Sequence, residues 1–172
     1  DLDSGFQLVE LPDSNMFDLA SNDIFRGGID LKQAEEWIIR EQGKVQCLMI
    51  ELCNNASGGF PVTLQHLRAS YQLAQAHGIR MILDITRILK NAQLIKMFET
   101  GMEEMSIWDI VSAIISCADD FTGSLSKDFC VNSGGLVGSR FPEVVQKAVN
   151  YAKLEGSFFS EIDQSRLGES IK

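Results

Sequence analysis

Residues 79–85 read IRMILDI, a short apolar run that ends next to an acidic side chain. A run of this length between turn signals predicts a buried strand. Upstream, residues 45–52 read VQCLMIEL and predict another strand, buried on both faces of its sheet. Between the two runs, Leu64, Leu67 and Tyr71 recur at helical spacing. Strand, helix and strand in this order predict a βαβ unit with parallel strands.

The same alternation continues to both sides of this unit. Helices are predicted to begin after the capping residues Asp30, Thr63 and Ser106, beyond Arg87, and at Pro142. A third buried strand is predicted to lead into residues 122–128, and a fourth to cover residues 129–138, interrupted by two glycines. We therefore expect an α/β fold with a mainly parallel sheet flanked by helices.

Composition limits the classes of partner. The 172 residues are 45% hydrophobic and 23% charged, which suits one domain with a substantial core. The net charge of −9 argues against nucleic acid and anionic membranes as partners. No apolar run approaches the ~20 residues of a membrane span, and residues 1–5 lack the pattern of a signal peptide. Four scattered cysteines without a CxxC pair predict reduced thiols in the cytoplasm rather than a zinc site.

A polar turn at residues 122–128, TGSLSKD, follows the third predicted strand. Its lysine, Lys127, stands beside small residues at the strand end. The default interpretation is a solvent-exposed surface lysine. The alternative is a Schiff-base nucleophile, because partial burial lowers the pKa of an amine and frees its lone pair.

Other polar residues follow the ends of the first two predicted strands. They are Asn55, Asp84 and Arg87, and function gathers at the carboxyl ends of the strands in parallel sheets. A carboxylate at Asp84 is costly to bury without a positive partner. That partner is either Arg87, in an ion pair, or the protonated ring nitrogen of pyridoxal phosphate. In the second case, Arg87 and Asn55 can approach the phenolic oxygen of the ring and Ser124 can contact the phosphate.

These residues belong to four ordered motifs: Asn55-x-x-Gly58-Gly59-x-Pro61-Val62, Asp84-x-Thr86-Arg87, Ser124-x-x-Lys127-Asp128 and Asn132-x-Gly134-Gly135. With them, the chain resembles the β-eliminating lyases, the family of tyrosine phenol-lyase and tryptophanase. The resemblance runs from about residue 28 to residue 155 and covers the central part of the family's large domain. It implies a partial large domain of a type I pyridoxal-phosphate-dependent fold, similar to that of aspartate aminotransferase.

The resemblance also implies a role for each motif residue. Lys127 would form the internal aldimine and then move protons at the α-carbon of the substrate. Asp84 would pair with the ring nitrogen, Arg87 and Asn55 would bind the phenolic oxygen, and Ser124 would help to hold the phosphate. Separately, Asn132 resembles a ligand of the activating potassium ion in this family.

The activity implied is β-elimination from an aromatic amino acid, a carbon–carbon lyase reaction, by a homo-oligomer of two or four subunits. The expected division of the chain is an irregular segment at 1–29, the cofactor-binding part at 30–155 and a divergent polar tail at 156–172. Two alternatives stay open. One is a truncated relative that acts as a binding or oligomerisation module without catalysis; the other is a different pyridoxal-phosphate lyase, such as a threonine aldolase.

Overall fold

A computed structural model describes Gly5 and residues 7–154, so the predicted polar tail at 156–172 lies outside the described residues. Five helices and four strands are described: α1 (Leu31–Arg40), β1 (Cys47–Glu51), α2 (Leu64–Ala76), β2 (Arg80–Asp84), α3 (Ile88–Phe98), α4 (Ile107–Ile115), β3 (Asp120–Ser124), β4 (Gly135–Ser139) and α5 (Pro142–Leu154). None of the described helices is long and apolar enough to cross a bilayer.

The strands form one sheet in the order β1-β2-β3-β4. The first three are parallel, with Glu51 opposite Asp84 and Asp84 opposite Thr122. The last strand, β4, runs antiparallel to β3. The predicted α/β architecture with a mainly parallel sheet is therefore confirmed.

The predicted helix starts are also confirmed. The side chains of Asp30, Thr63 and Ser106 each accept a hydrogen bond from the backbone N–H three residues later. Such caps satisfy donors that the first helical turn leaves unpaired, and each typically contributes about 1 kcal/mol. α2 packs on β1 and β2, and α4 contacts α2 and α3. The core between these layers includes Leu48, Ile50, Leu64, Leu67, Met81, Leu83, Ile95, Ile110 and Ile114.

The prediction that the first strand is buried on both faces is wrong for the described residues. In β1, Leu48 and Ile50 are buried, whereas Cys47 is exposed and Met49 keeps 48% of its surface accessible. The reason is that α2 packs on one face of β1, so successive side chains alternate between core and surface.

The predicted strand at 129–138 is wrong in its first half. Residues 129–134 form turns and bends, and only Gly135–Ser139 pairs with β3. Cys130 has a φ of 53°, in the left-handed region that a β-strand does not use. Its backbone N–H donates to the carbonyl of Lys127 at 3.1 Å, so the chain folds back immediately after the lysine. This reversal makes β4 antiparallel.

Residues 7–29 form turns and one isolated bridge, between Pro12 and Ile29. This segment packs on the start of α2 through His66, whose Nε2 accepts the backbone N–H of Ile29 at 3.2 Å. Burial lowers the pKa of His66, in keeping with a neutral ring that accepts this bond. A Cβ at Gly28 would lie 2.6 Å from the same nitrogen, so glycine is required for this approach.

Candidate functional site

The carboxyl ends of β1, β2 and β3 meet at one edge of the sheet, and the predicted site residues lie at that edge. Asp84 and Ser124 are the last residues of β2 and β3. Asn55, Arg87 and Lys127 follow β1, β2 and β3 by four, three and three residues. Parallel pairing therefore brings together side chains that are up to 72 positions apart in the sequence.

Asp84 is half-buried at this edge. Its Oδ1 accepts the backbone N–H of Thr86 at 2.9 Å, which turns the chain sharply after β2. Its Oδ2 receives no hydrogen bond from the described residues. Among the ion pairs of these residues, none joins Asp84 to Arg87, so the alternative interpretation of a strand-ending ion pair is wrong.

Arg87 directly precedes α3 and makes no side-chain capping bond to it. Its guanidinium lies close enough to Glu51 to favour the ionised carboxylate. Glu51 ends β1 as Asp84 ends β2, and Asn54 donates from Nδ2 to its Oε2 at 2.6 Å. Burial raises the pKa of Glu51, the neighbouring Asp84 raises it further, and Arg87 opposes both effects.

Sequence reasoning did not single out Glu51 as part of the site. The available signal was an acidic residue near the end of an apolar run, the same signal that identified Asp84. What the sequence did not reveal is the register, which sets Glu51 directly beside Asp84. The edge thus carries two adjacent carboxyl groups and one guanidinium.

The loop after β1 presents Asn55, which is exposed. Asn54 folds this loop: its Oδ1 accepts the N–H of Ala56 at 2.7 Å and its carbonyl accepts the N–H of Gly59 at 2.7 Å. Gly58 and Gly59 adopt φ values of 92° and 73°, which favour glycine. The side-chain amide of Asn55 makes no hydrogen bond to the described residues, so it is available to a ligand.

Asn91, on α3, holds the end of the same loop and was not predicted as a site residue. It is fully buried, accepts the N–H of Val62 at Oδ1 (2.9 Å) and donates from Nδ2 to the carbonyl of Val62 (2.9 Å). Its Oδ1 also lies 3.7 Å from the buried thiol of Cys53, whose pKa burial raises to about 11. This thiol is therefore an unreactive neighbour and not a nucleophile.

The turn that contains Lys127 is bonded on one side to Thr86, just before α3, and on the other side to the first turn of α3. Before the lysine, Ser124 donates its N–H to Thr86 Oγ1 at 2.9 Å, and its hydroxyl lies 2.8 Å from that of Ser126. After the lysine, Asp128 accepts two backbone N–H groups of α3. The Lys127 side chain is exposed, and its amine makes no hydrogen bond or ion pair with the described residues.

Asn132 is exposed in the bend that precedes β4. Within residues 7–154, no group of three or more histidine, cysteine or acidic side chains is arranged to hold a metal ion. The assignment of Asn132 to potassium is not tested by this arrangement and stays a prediction.

The side chains at this edge fit pyridoxal phosphate in their chemistry. The ring nitrogen of the cofactor needs a carboxylate acceptor, and Asp84 has an oxygen that the described residues do not use. The phenolic oxygen needs donors, and Arg87 and Asn55 offer a guanidinium and an amide without hydrogen-bond partners among those residues. The aldehyde needs an amine, and Lys127 carries one without a hydrogen-bond partner among the described residues.

Comparison with known proteins decides the family. A family model described as "Beta-eliminating lyase" matches residues 2–163. The chain belongs to the β-eliminating lyase family. A tryptophanase of Hyphomonas neptunium is 36% identical over 124 residues, which are 72% of this chain and 27% of the relative. A tyrosine phenol-lyase of Clostridium tetani is 38% identical over 132 residues, which are 75% of this chain and 28% of the relative.

A solved structure, titled as a putative aromatic amino acid beta-eliminating lyase/threonine aldolase from Exiguobacterium sp. 255-15, superposes with a TM-score of 0.52 at 19% identity. The match covers 68% of this chain and 30% of the other. This likeness concerns the fold and confirms the predicted fold class. The chain spans roughly 30% of the length of the proteins that it matches.

Proposed function

We propose that the full-length protein is a pyridoxal-phosphate-dependent lyase that removes the side chain of an aromatic amino acid by β-elimination. The observation that carries this proposal is the convergence of Asn55, Asp84, Arg87 and Lys127 at one sheet edge, with polar groups that the described residues leave available. Membership of the β-eliminating lyase family supports the reaction class.

Each residue has a distinct task in this reaction. When bound, the cofactor supplies an electron sink for the electron pair of the bond broken at the substrate's α-carbon. Asp84 keeps the ring nitrogen protonated, since its carboxylate accepts that N–H. Arg87 and Asn55 donate to the phenolic oxygen, and Ser124 helps to hold the phosphate. Lys127 attaches the cofactor through its amine and transfers the α-proton.

Glu51 adds a second negative charge to this arrangement. Its carboxyl lies beside Asp84, and the Arg87 guanidinium lies close enough to Glu51 to lower the pKa of that carboxyl. Arg87 therefore offsets the repulsion between two carboxylates at the same edge.

The finer parts of the proposal follow the resemblance. They are an aromatic amino-acid substrate, a cytoplasmic homo-oligomer and a potassium ion bound at Asn132. Threonine aldolase activity is the second candidate, because the Exiguobacterium structure, whose description includes threonine aldolase, shares the fold. The two activities differ in products: β-elimination gives pyruvate and ammonia, whereas aldol cleavage of threonine gives glycine and acetaldehyde.

Reductive labelling tests the proposal. The Lys127 amine condenses with the cofactor's aldehyde and releases one water, and borohydride then delivers hydride to the C=N bond, which makes the link permanent. We expect peptide mass spectrometry of the full-length protein to find the label on Lys127. Lys127→Ala should abolish that label and slow turnover by about 10²–10⁴-fold, the usual contribution of a positioned proton-transfer group.

Lys147→Ala is the matched control, because Lys147 is an exposed lysine on α5. It should leave both the label on Lys127 and turnover unchanged. An unlabelled Lys127 in the wild-type protein would overturn the proposal. A substrate panel of tyrosine, tryptophan and threonine then separates the two candidate activities by their products.

A further inference from the structure

Asp128, the residue after the proposed attachment lysine, makes a long-range contact that the proposed function does not use. Its Oδ2 accepts the backbone N–H of Leu89 at 2.7 Å and that of Lys90 at 3.1 Å. These are the second and third residues of α3. The helix has no capping side chain of its own, since Arg87 makes no such bond. Asp128 therefore caps α3 from 38 and 39 positions away.

The carboxylate suits this place electrostatically. The first turn of a helix leaves N–H groups unpaired and carries a partial positive charge, and both favour a carboxylate. Hydrogen bonds from backbone N–H to an ionised acceptor are stronger than bonds between neutral groups. The hydrogen bonds between Asp128 and the first turn of α3 are therefore expected to hold the turn firmly.

Two links fix the backbone around Lys127 to the segment after β2. Ser124 is bonded to Thr86 before the lysine, and Asp128 is bonded to Leu89 and Lys90 after it. The Lys127 side chain is exposed and has no partner of its own among the described residues. The position of its Cα, from which the amine reaches out, therefore depends on how firmly this turn is held.

We infer that Asp128 is a positioning residue: by capping α3 it fixes the backbone that carries the Lys127 amine relative to Asp84 and Arg87, which precede that helix. This inference rests on the proposed function of Lys127. Reactions between positioned groups are sensitive to geometry, and a displacement of ~1 Å can cost about 10²-fold in rate. Asp128 acts through Lys127 and touches no reacting atom.

The test compares the rate of reductive labelling of Lys127 in the full-length wild-type protein with that in Asp128→Ala and Asp128→Asn. We expect Asp128→Ala to label about tenfold more slowly, the scale expected when one capping interaction is lost. Asp128→Asn should stay within about threefold of wild type, because an asparagine oxygen caps helices about as well as a carboxylate.

Glu99→Ala is the matched control. Glu99 also caps α2 from a distance, beside the local cap Thr63: its Oε2 accepts the backbone N–H of Leu64 at 2.7 Å and its Oε1 accepts that of Gln65 at 3.0 Å. Losing this cap should destabilise the protein comparably and leave the labelling of Lys127 unchanged. Slower labelling in Glu99→Ala as well would mean that general destabilisation explains the slower labelling in Asp128→Ala. That result would refute the positioning role of Asp128.

Hydrogen exchange of the cofactor-free protein gives an independent readout. In Asp128→Ala, the amides of Leu89 and Lys90 should exchange about tenfold faster, whereas Asp128→Asn should protect them. Unchanged exchange, or equal labelling of Lys127 in wild type and Asp128→Ala, would overturn the inference.

If Asp128→Ala does not fold, Asp128→Glu replaces it, since one added methylene keeps the charge and moves the acceptor. It should label more slowly than wild type, and equal labelling would again overturn the inference. Absence of the label in wild type is a different outcome, which overturns the proposed function itself.

Discussion

Replacing Asn91 with alanine is expected to be among the most damaging single changes in the core. The Asn91 side chain is fully buried and satisfies both backbone groups of Val62, which is itself 2% exposed. In Asn91→Ala the N–H and C=O of Val62 lose their partners in an environment that water does not reach.

The magnitude follows from those two groups. A buried polar group left without a partner costs about 1–3 kcal/mol, so two cost about 2–6 kcal/mol. Domains are typically stable by only about 5–15 kcal/mol. Asn91→Ala should therefore remove a large part of the free energy of unfolding and release the loop that carries Asn55.

Urea denaturation of wild type, Asn91→Ala and a control variant, followed by circular dichroism, measures the loss in free energy of unfolding. Ser70→Ala is the matched control, because Ser70 is also a fully buried polar residue of a helix. Its hydroxyl donates to the carbonyl of His66 at 2.9 Å within the same helix, so its removal strands no backbone group. A free energy of unfolding for Asn91→Ala within about 0.5 kcal/mol of that for Ser70→Ala would refute the reasoning.

Two further predictions concern the packing and the pH dependence of the fold. Because burial lowers the pKa of His66 below its usual 6.5, the unfolded chain binds more protons than the folded one just below that pH. Stability should therefore fall as pH drops through 6.5 toward the lowered pKa, and His66→Gln should flatten this part of the urea-midpoint profile. Equal pH profiles of the urea midpoint for wild type and His66→Gln would contradict this prediction. Gly138→Ala would drive a Cβ into the ring of Phe121 and should cost about 1–3 kcal/mol by thermal unfolding. Gly135→Ala, on the same strand with 3.4 Å of clearance, should cost less, and the reverse order would count against the packing argument.

The caps and the strand order show how much of the fold local sequence could predict. Asp30, Thr63 and Ser106 each bond to a backbone group three residues away, so a short window of sequence contains both partners. The βαβ pattern then predicts parallel strands, and parallel strands predict the edge at which Asp84 and Lys127 both lie.

Two features of the sheet could not be predicted from the sequence, for physical reasons. The exposure of Met49 depends on which face of the strand is covered by a helix. A continuous apolar run does not show whether one face of the strand or both faces are covered. The direction of β4 depends on the reversal at Cys130, which adopts a positive φ although nothing in its side chain favours one.

The sequence by itself determined the family, the α/β class, the helix starts and the residue types of the candidate site, because these depend on motifs and on neighbours a few positions apart. Only the tertiary structure decided that Glu51 lies beside Asp84, that Asn91 holds Val62, and that Asp128 caps α3. The last two contacts join residues 29 and 39 positions apart, and the first depends on strand register. The neighbours of these polar side chains are set only when folding brings distant segments of the chain together, so a short window of sequence does not contain them.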